Sequence, residues 1–430
     1  MKRPVVIGLL VVALLFVLAG IGAVVFFAVR GADFAVFNVP LVSAAAEENK
    51  TLKIDAEKPV SLSVNDDAGD VTIVGADVEA VEVRIVKTGY GSNDARAEEA
   101  LKGIKYDLKQ SGNTITFTYK LDGRQTREVN TVDIIVTVPT ETSVEVDNGF
   151  GVVDIKDLKG DVDVNGDFGD ATINNIEGAL SLENASGEIQ VSNVDAGSKD
   201  VNIEADFGKI SLEKVNGNDI TVSSSSGSLT LSNVRATGDF FSKSDFGNIT
   251  FENGYAASFT IESSSGKVIL TKLTVRGALI VMNDFGDIEL NQALAGSYDL
   301  DSNSGGITID GAKGSLKAQT DFGSIDIKNA ENVTVDLKSN SGGIDFSGSF
   351  GEGPHSIQSD FGSIALAIPS DSALDVDLNI DFGSISSEIP ITVTLDGESE
   401  GKRQTGTMNG GGAQLTVQTN NGSIDITAIK

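Results

Sequence analysis

Cysteine and tryptophan are absent from this 430-residue chain, and histidine occurs once, at His355. Without cysteine there is no disulfide frame, no thiolate metal site and no thiol nucleophile. A single histidine, in the loop-like context Gly353-Pro354-His355-Ser356, leaves almost no material for nucleophilic or proton-transfer catalysis. Basic residues are scarce as well. Lys and Arg number 32 against 62 Asp and Glu, for a formal charge of −30, and no acid precedes Asp33. That balance argues against nucleic acid and against docking on anionic lipid headgroups.

Long apolar runs are missing except for one, residues 5–29, bracketed by Lys2, Arg3 and Arg30. At helical rise it spans roughly 37 Å, enough to cross a hydrocarbon core of ~30 Å. A cleaved signal has a shorter core with its cut site directly behind it, whereas Ala44-Ala45-Ala46 lies about 15 residues further on. The run is expected to be an uncleaved transmembrane helix. Lys2 and Arg3 favour a cytoplasmic N-terminus, so the protein is expected in the cell membrane as a single-pass chain, its bulk extracytoplasmic. The lipid bilayer, through residues 5–29, is then the first expected partner.

What the chain has in abundance is glycine, 48 residues of it, in rhythm. Asp-Phe-Gly occurs seven times, with its rings at Phe168, Phe207, Phe246, Phe285, Phe322, Phe361 and Phe382. The intervals are 39, 39, 39, 37, 39 and then 21 residues. Between them fall Ser186-Gly187, Ser226-Gly227, Ser265-Gly266, Ser304-Gly305 and Ser341-Gly342. Together with Phe150-Gly151, these make a glycine recur about every 19 residues, the mark of a stacked-coil architecture. Each coil reads as two short strands of alternating apolar and polar residues, which buries one face and wets the other. One coil cannot bury its inner face alone; stacking supplies edge pairing and a shared core. The spacing allows either ~19 or ~39 residues per turn, and we favour the shorter, with alternate coils differing at the corner.

The fold class expected is therefore all-β, a β-solenoid (β-helix) of ~19-residue coils behind one transmembrane helix. Residues 1–30 form the anchor, 31–50 a linker, 51–140 a β-rich opening region, 141–387 the repeats and 388–430 a C-terminal coil and cap. In the opening region, alternation marks strands near residues 60–64, 71–74, 81–86, 114–119 and 132–138. A helix is expected over 93–102, with Asn93 as its N-cap.

Asp-Phe-Gly also occurs in the magnesium-binding segment of protein kinases. Seven copies with no phosphate loop, strand lysine or His-Arg-Asp segment exclude that reading. Turn chemistry suffices: Asp bonds backbone two residues on, Gly permits positive φ, and Phe stacks into a core ladder. An exposed aromatic track for sugars is the alternative, though the lack of tryptophan counts against it. Asp161, Asp163, Asn165 and Asp167 match the first half of a calcium loop, yet Thr172 stands where the bidentate Glu belongs. They read first as a strand with exposed acids, and secondly as a weak calcium site, as do Asp170, Asp206, Asp284 and Asp287. No cofactor is expected. Carboxylate pairs for glycoside hydrolysis must occur somewhere among 62 acids, but no coil is marked out by an added concentration of basic and acidic residues.

The repeat, the strand Ile134-Ile135-Val136-Thr137-Val138-Pro139 and the closing Asn409-Gly410-Gly411-Gly412 and Asn421-Gly422-Ser423-Ile424 give the chain a likeness. Over residues 51–430 it resembles a bacterial family of β-strand-repeat domains regarded as candidate adhesins and as a domain of unknown function. The resemblance implies a β-solenoid at the bacterial envelope and supplies no active-site motif. The expected function is a non-catalytic structural or adhesin-like role, with envelope glycan or another membrane protein as partner. A sensor or regulatory subunit of an envelope stress system is the alternative, and a polysaccharide-active enzyme the third.

Overall fold

The computed structural model describes residues 41–121, 129–393 and 402–429. The expected transmembrane helix over residues 5–29 lies outside these. No helix among the described residues is long and apolar enough to cross a membrane. The chain divides into two compact units. The smaller includes residues 87–104 and holds the helix Asp94–Gly103, capped by the Asn93 side chain accepting from the Arg96 N–H at 3.1 Å. Ala97 is buried on it, and the helix backbone lies so close to Gly91 that a Cβ there would fall 2.4 Å from the Ala97 nitrogen. A strand also occupies Val42–Lys53, so extended structure begins within the segment read as a linker.

The larger unit is a parallel β-solenoid. Val162 pairs with Leu180, Leu180 with Val201, Val201 with Ile220 and Ile220 with Phe240. These steps run from 18 to 21 residues, which selects the shorter turn. About a dozen coils follow one another in chain order over residues 142–369. Their inward positions carry Val, Ile and Leu, nearly all fully buried. Each coil has one strand before a corner glycine and one after it. The second strand contains a further bend that alternation did not reveal. Ile173 and Ile176 both face inward although three residues apart, which a straight strand forbids. Asn175 between them adopts φ +56°, and Asp157, Asn193, Asn233 and Asn253 repeat the left-handed bend in neighbouring coils. Asn and Asp tolerate that region better than most side chains.

The ends depart from chain order. Thr114–Tyr119 pairs beneath Val60–Asp66, whose other edge carries Thr142–Phe150 from further along the chain. At the far end Ala413–Asn421 inserts between His355–Phe361 and Leu374–Phe382. The last coil in sequence is therefore not the last in space. Both outermost first strands are closed by an antiparallel neighbour: Tyr106–Ser111 on Thr114–Tyr119, and Arg403–Met408 on Leu374–Phe382. Such strands occupy edges that would otherwise template aggregation, the role expected of a cap.

Candidate interaction surface

Each corner glycine sits directly over the one below. A Cβ at Gly169 would lie 1.8 Å from the Gly151 carbonyl oxygen, and one at Gly208 would lie 1.9 Å from that of Gly187. Backbones this close leave no room for a side chain, which accounts for the recurrence of a glycine at every corner. Three residues ahead of most of these glycines is a buried column of small polar side chains. Ser339 Oγ donates to Gly323 O at 2.9 Å, Ser359 Oγ to Gly342 O at 2.9 Å, and Thr419 Oγ1 to Gly362 O at 2.8 Å. Asn148, Asn184 and Asn283 do the same with their amides, each at 2.9 Å. The sequence contained this signal, a Ser, Thr or Asn at −3 from most corner glycines, and our sequence reading missed it.

Asp66 occupies the same column at 1% exposure. Burial, with Asp133, Asp67 and Asp70 adding repulsion, pushes its carboxyl up to about 7 despite a bond from the Ala68 N–H. His355 is not a loop residue but a buried strand position. Its Nε2 faces Gly351 O at 3.2 Å, its Nδ1 accepts from the Val335 N–H at 3.4 Å, and its ring lies 4.7 Å from that of Phe350. Desolvation holds this imidazole below its ordinary pKa, so it is a core residue.

The seven phenylalanines are not a core ladder. They are 53–69% exposed, Phe168 the least and Phe382 the most. Strict alternation would send Phe207 inward with Val201, Ile203 and Ala205. The chain turns at Gly208 instead, and the residue before the corner projects past the edge of the core. Nor do the seven stack on one another, because a polar residue, serine in all intervals but the last, occupies the coil between. Ser186 pairs with Phe168 and Phe207, Ser226 with Phe207 and Phe246, and Ser265 with Phe246 and Phe285. Adjacent strands lie ~4.8 Å apart, so successive rings stand ~9.6 Å apart along one edge of the solenoid. At the start of the row Phe150 and Phe168 occupy adjacent coils and do stack, 5.1 Å between centroids and 6° between planes.

The aspartate before each ring also differs from expectation. Asp284 Oδ1 accepts from Asn303 Nδ2 at 2.7 Å and Asp321 Oδ1 from Asn340 Nδ2 at 2.6 Å, bonds to the next coil and not to backbone two residues on. Asp163, Asn165 and Asp167 alternate along the outer face of Val162–Phe168 and do not converge. Asp161 precedes that strand and is bonded to Lys199 Nζ at 2.6 Å and to the Ala179 N–H. Among the described residues no cluster of three or more His, Asp or Glu is arranged to hold a metal. A shallow depression of about 460 Å³ over Glu145, Asp161, Asp163 and Asp200 gathers acids on one face. Hydrogen bonds from Lys199 and Asn218 hold Asp161 and Asp200 below their usual range, the opposite of what a general acid needs.

Fold and surface together define a stacked-coil β-solenoid with a glycine corner and an aromatic edge. The family described as Toastrack DUF4097 matches over residues 60–253, 194–322 and 253–427, and the chain belongs to it. Among solved structures it is similar to a candidate cell adhesion protein from Clostridium sporogenes ATCC 15579, at 10% identity and a TM-score of 0.19, over 90% of this chain and 100% of that one. It is similar also to a candidate adhesin from Bacteroides fragilis NCTC 9343, at 14% identity and a TM-score of 0.31, over 66% of this chain and 97% of the other. No curated protein matches.

Proposed function

We propose that the protein is a non-catalytic, adhesin-like solenoid held at the bacterial cell surface by residues 5–29 in the lipid bilayer. The observation that carries this reading is the row of exposed phenylalanines at fixed spacing on one edge of the larger unit. Large apolar side chains in register, left in solvent, are characteristic of an interaction surface. In the depression over Glu145, Asp161, Asp163 and Asp200, Asp161 and Asp200 are stabilised as anions, which suits binding or solubility better than glycosidic proton transfer. The names of the two similar structures agree with an adhesive role. Partners of the kinds open to such a surface are envelope glycan or another protein of the envelope.

The test is protease shaving of intact cells together with turnover assays on purified full-length protein. Removal of the solenoid from intact cells, with no release of reducing ends from cell-wall glycan, is the expected pair of results. Protection in intact cells, or sustained turnover on a glycan, would overturn the proposal.

A further inference from the structure

The aromatic row keeps its spacing where the sequence does not. Phe382 follows Phe361 after only 21 residues, against 37 to 39 elsewhere. In space the alternation is intact, because Asn421 from the inserted final coil lies between them, paired with both. A duplicated two-coil unit would explain a 39-residue repeat, but not a ring restored to the right layer by a permuted chain. The arrangement in space is what is maintained, from Phe168 to Phe382.

The chemistry beside the rings points to the occupant. An aspartate precedes every one: Asp167, Asp206, Asp245, Asp284, Asp321, Asp360 and Asp381. Lysines that stand near the row are already paired, Lys209 with Glu188, Lys243 with Asp245 and Lys267 with Glu289. Among the described residues one cation is seated on the row itself. Lys402 Nζ lies 5.6 Å from the Phe382 ring centroid, its backbone carbonyl held by the Ile380 N–H at 2.8 Å. An ammonium over a ring face is a favourable pairing, and an adjacent carboxylate adds to it. A second copy of this edge would instead set aspartates against aspartates.

Spacing selects the conformation. Rings recur every ~9.6 Å. One turn of polyproline II, three residues at ~3.1 Å, advances ~9.3 Å and returns a side chain to the same face. Same-face side chains of a β-strand recur at ~6.7 Å, and those of an α-helix at ~5.4 Å per turn, both out of step. Polyproline II segments are pre-ordered and dock on aromatic surfaces elsewhere. We propose that the phenylalanine edge binds an extended polypeptide in polyproline II form carrying a lysine or arginine at every third residue, each cation seated between a ring and its neighbouring aspartate. This rests on the reading of the solenoid as a non-catalytic binding surface and names its partner class.

The experiment measures fluorescence anisotropy of labelled (Lys-Pro-Pro)6 against the full-length protein in detergent micelles, at two salt concentrations. (Ser-Pro-Pro)6 and a chitin hexasaccharide serve as alternative ligands. The expected result is saturable binding of the lysine peptide, at least about ten-fold tighter than the serine peptide, as summed cation–π and ionic contacts require. Combined Phe207→Ser, Phe246→Ser and Phe285→Ser should weaken it by about ten-fold with an unchanged thermal midpoint. Combined Asp206→Asn, Asp245→Asn and Asp284→Asn should weaken it and flatten its salt dependence. Equal binding by the phenylalanine variant would reduce the effect to polyelectrolyte attraction and overturn the proposal. Absence of peptide binding, or displacement of the peptide by the hexasaccharide, would also overturn it. Either would leave the adhesin-like reading intact, since that reading falls on surface exposure and turnover.

Discussion

On the inner side of most corners, three residues before the glycine, a small polar side chain is buried, and in coils such as those of Asn184, Asn283, Thr320, Ser339 and Ser359 it donates to a glycine carbonyl of the coil beneath. On the outer side, one residue before the same glycine, a phenylalanine or serine stands in solvent. Both columns repeat with one period and are two positions apart in one strand. Their repetition has different causes. The inner column satisfies carbonyls that the close glycine stacking removes from water, where an unmet acceptor costs about 1–3 kcal/mol. The outer column satisfies no buried carbonyl, and its rings alternate with serine at no visible cost to packing. Periodicity in a solenoid therefore marks stability on one side of the chain and surface recognition on the other.

The hardest test of this contrast is the glycine between the columns. At Gly247 φ is +150°, and a Cβ would fall 2.1 Å from the Gly227 carbonyl oxygen. Gly247→Ala has to separate two coils or distort both, and a loss of about 3 kcal/mol or more is expected in urea unfolding. A loss under about 1 kcal/mol would show that the stack can breathe at its corner.

Asp66 tests the inner column by charge. Its carboxyl titrates at about 7 in the folded protein, against an ordinary 3.8. The folded state holds its proton longer than the unfolded one, so stability falls as pH rises from about 4 to about 7 and then levels off. Asp66→Asn should remove that slope. The expected gain at pH 8 is up to about 4 kcal/mol, from roughly three pK units, with none at pH 3. His355 slopes the other way. Its folded pKa is lowered from 6.5, so its contribution is complete above that value and is lost as pH falls below it. Unfolding midpoints from pH 3 to 8, for the parent and for Asp66→Asn, separate the two, because the His355 slope is left in the variant.

Much of this was legible beforehand, and what was not has physical reasons. The glycine interval fixed coil length because stacked backbones admit no side chain at that point, and the alternation of Ile, Val and Leu fixed the core. The helix start at Asn93 followed from its capping chemistry. Phe207 misled because strand parity says inward, and only the corner at Gly208 reveals that the core has already ended. The placement of residues 413–421 beneath Leu374–Phe382 was hidden for another reason. Pairing depends on which edges are free in space, and adjacent coils in sequence look like adjacent coils in the stack. The lone histidine looked like a loop residue because Gly-Pro precedes it, whereas its ring fills the core beside Phe350.

A milder test of the inner side is Ser359→Ala, which removes the 2.9 Å bond to Gly342 O and leaves that carbonyl buried. About 1–2 kcal/mol of stability should be lost, read from the shift in urea midpoint at unchanged slope. Ser359→Thr keeps the donor, as Thr320 and Thr419 already do in their own coils, and should recover most of the loss.

The smallest expected effect is on the outer side. Phe246 is 65% exposed, pairs in register with Ser226 and Ser265, and stands where serine is accepted in every second coil. Phe246→Ser should therefore change stability by no more than about 0.5 kcal/mol, the usual range for a surface site free of caps or strain. The converse change, Ser265→Phe, fills a gap in the row and sets three rings on consecutive coils, as Phe150 and Phe168 already stand. It should be tolerated equally well by the fold. If the row were a packing device, adding a ring would stabilise and removing one would destabilise, each by roughly the 0.5–1.5 kcal/mol of an aromatic pair. If the row is a binding surface, both changes leave the unfolding midpoint in place and alter only what the edge can hold, because the ~9.6 Å interval is lost in either case.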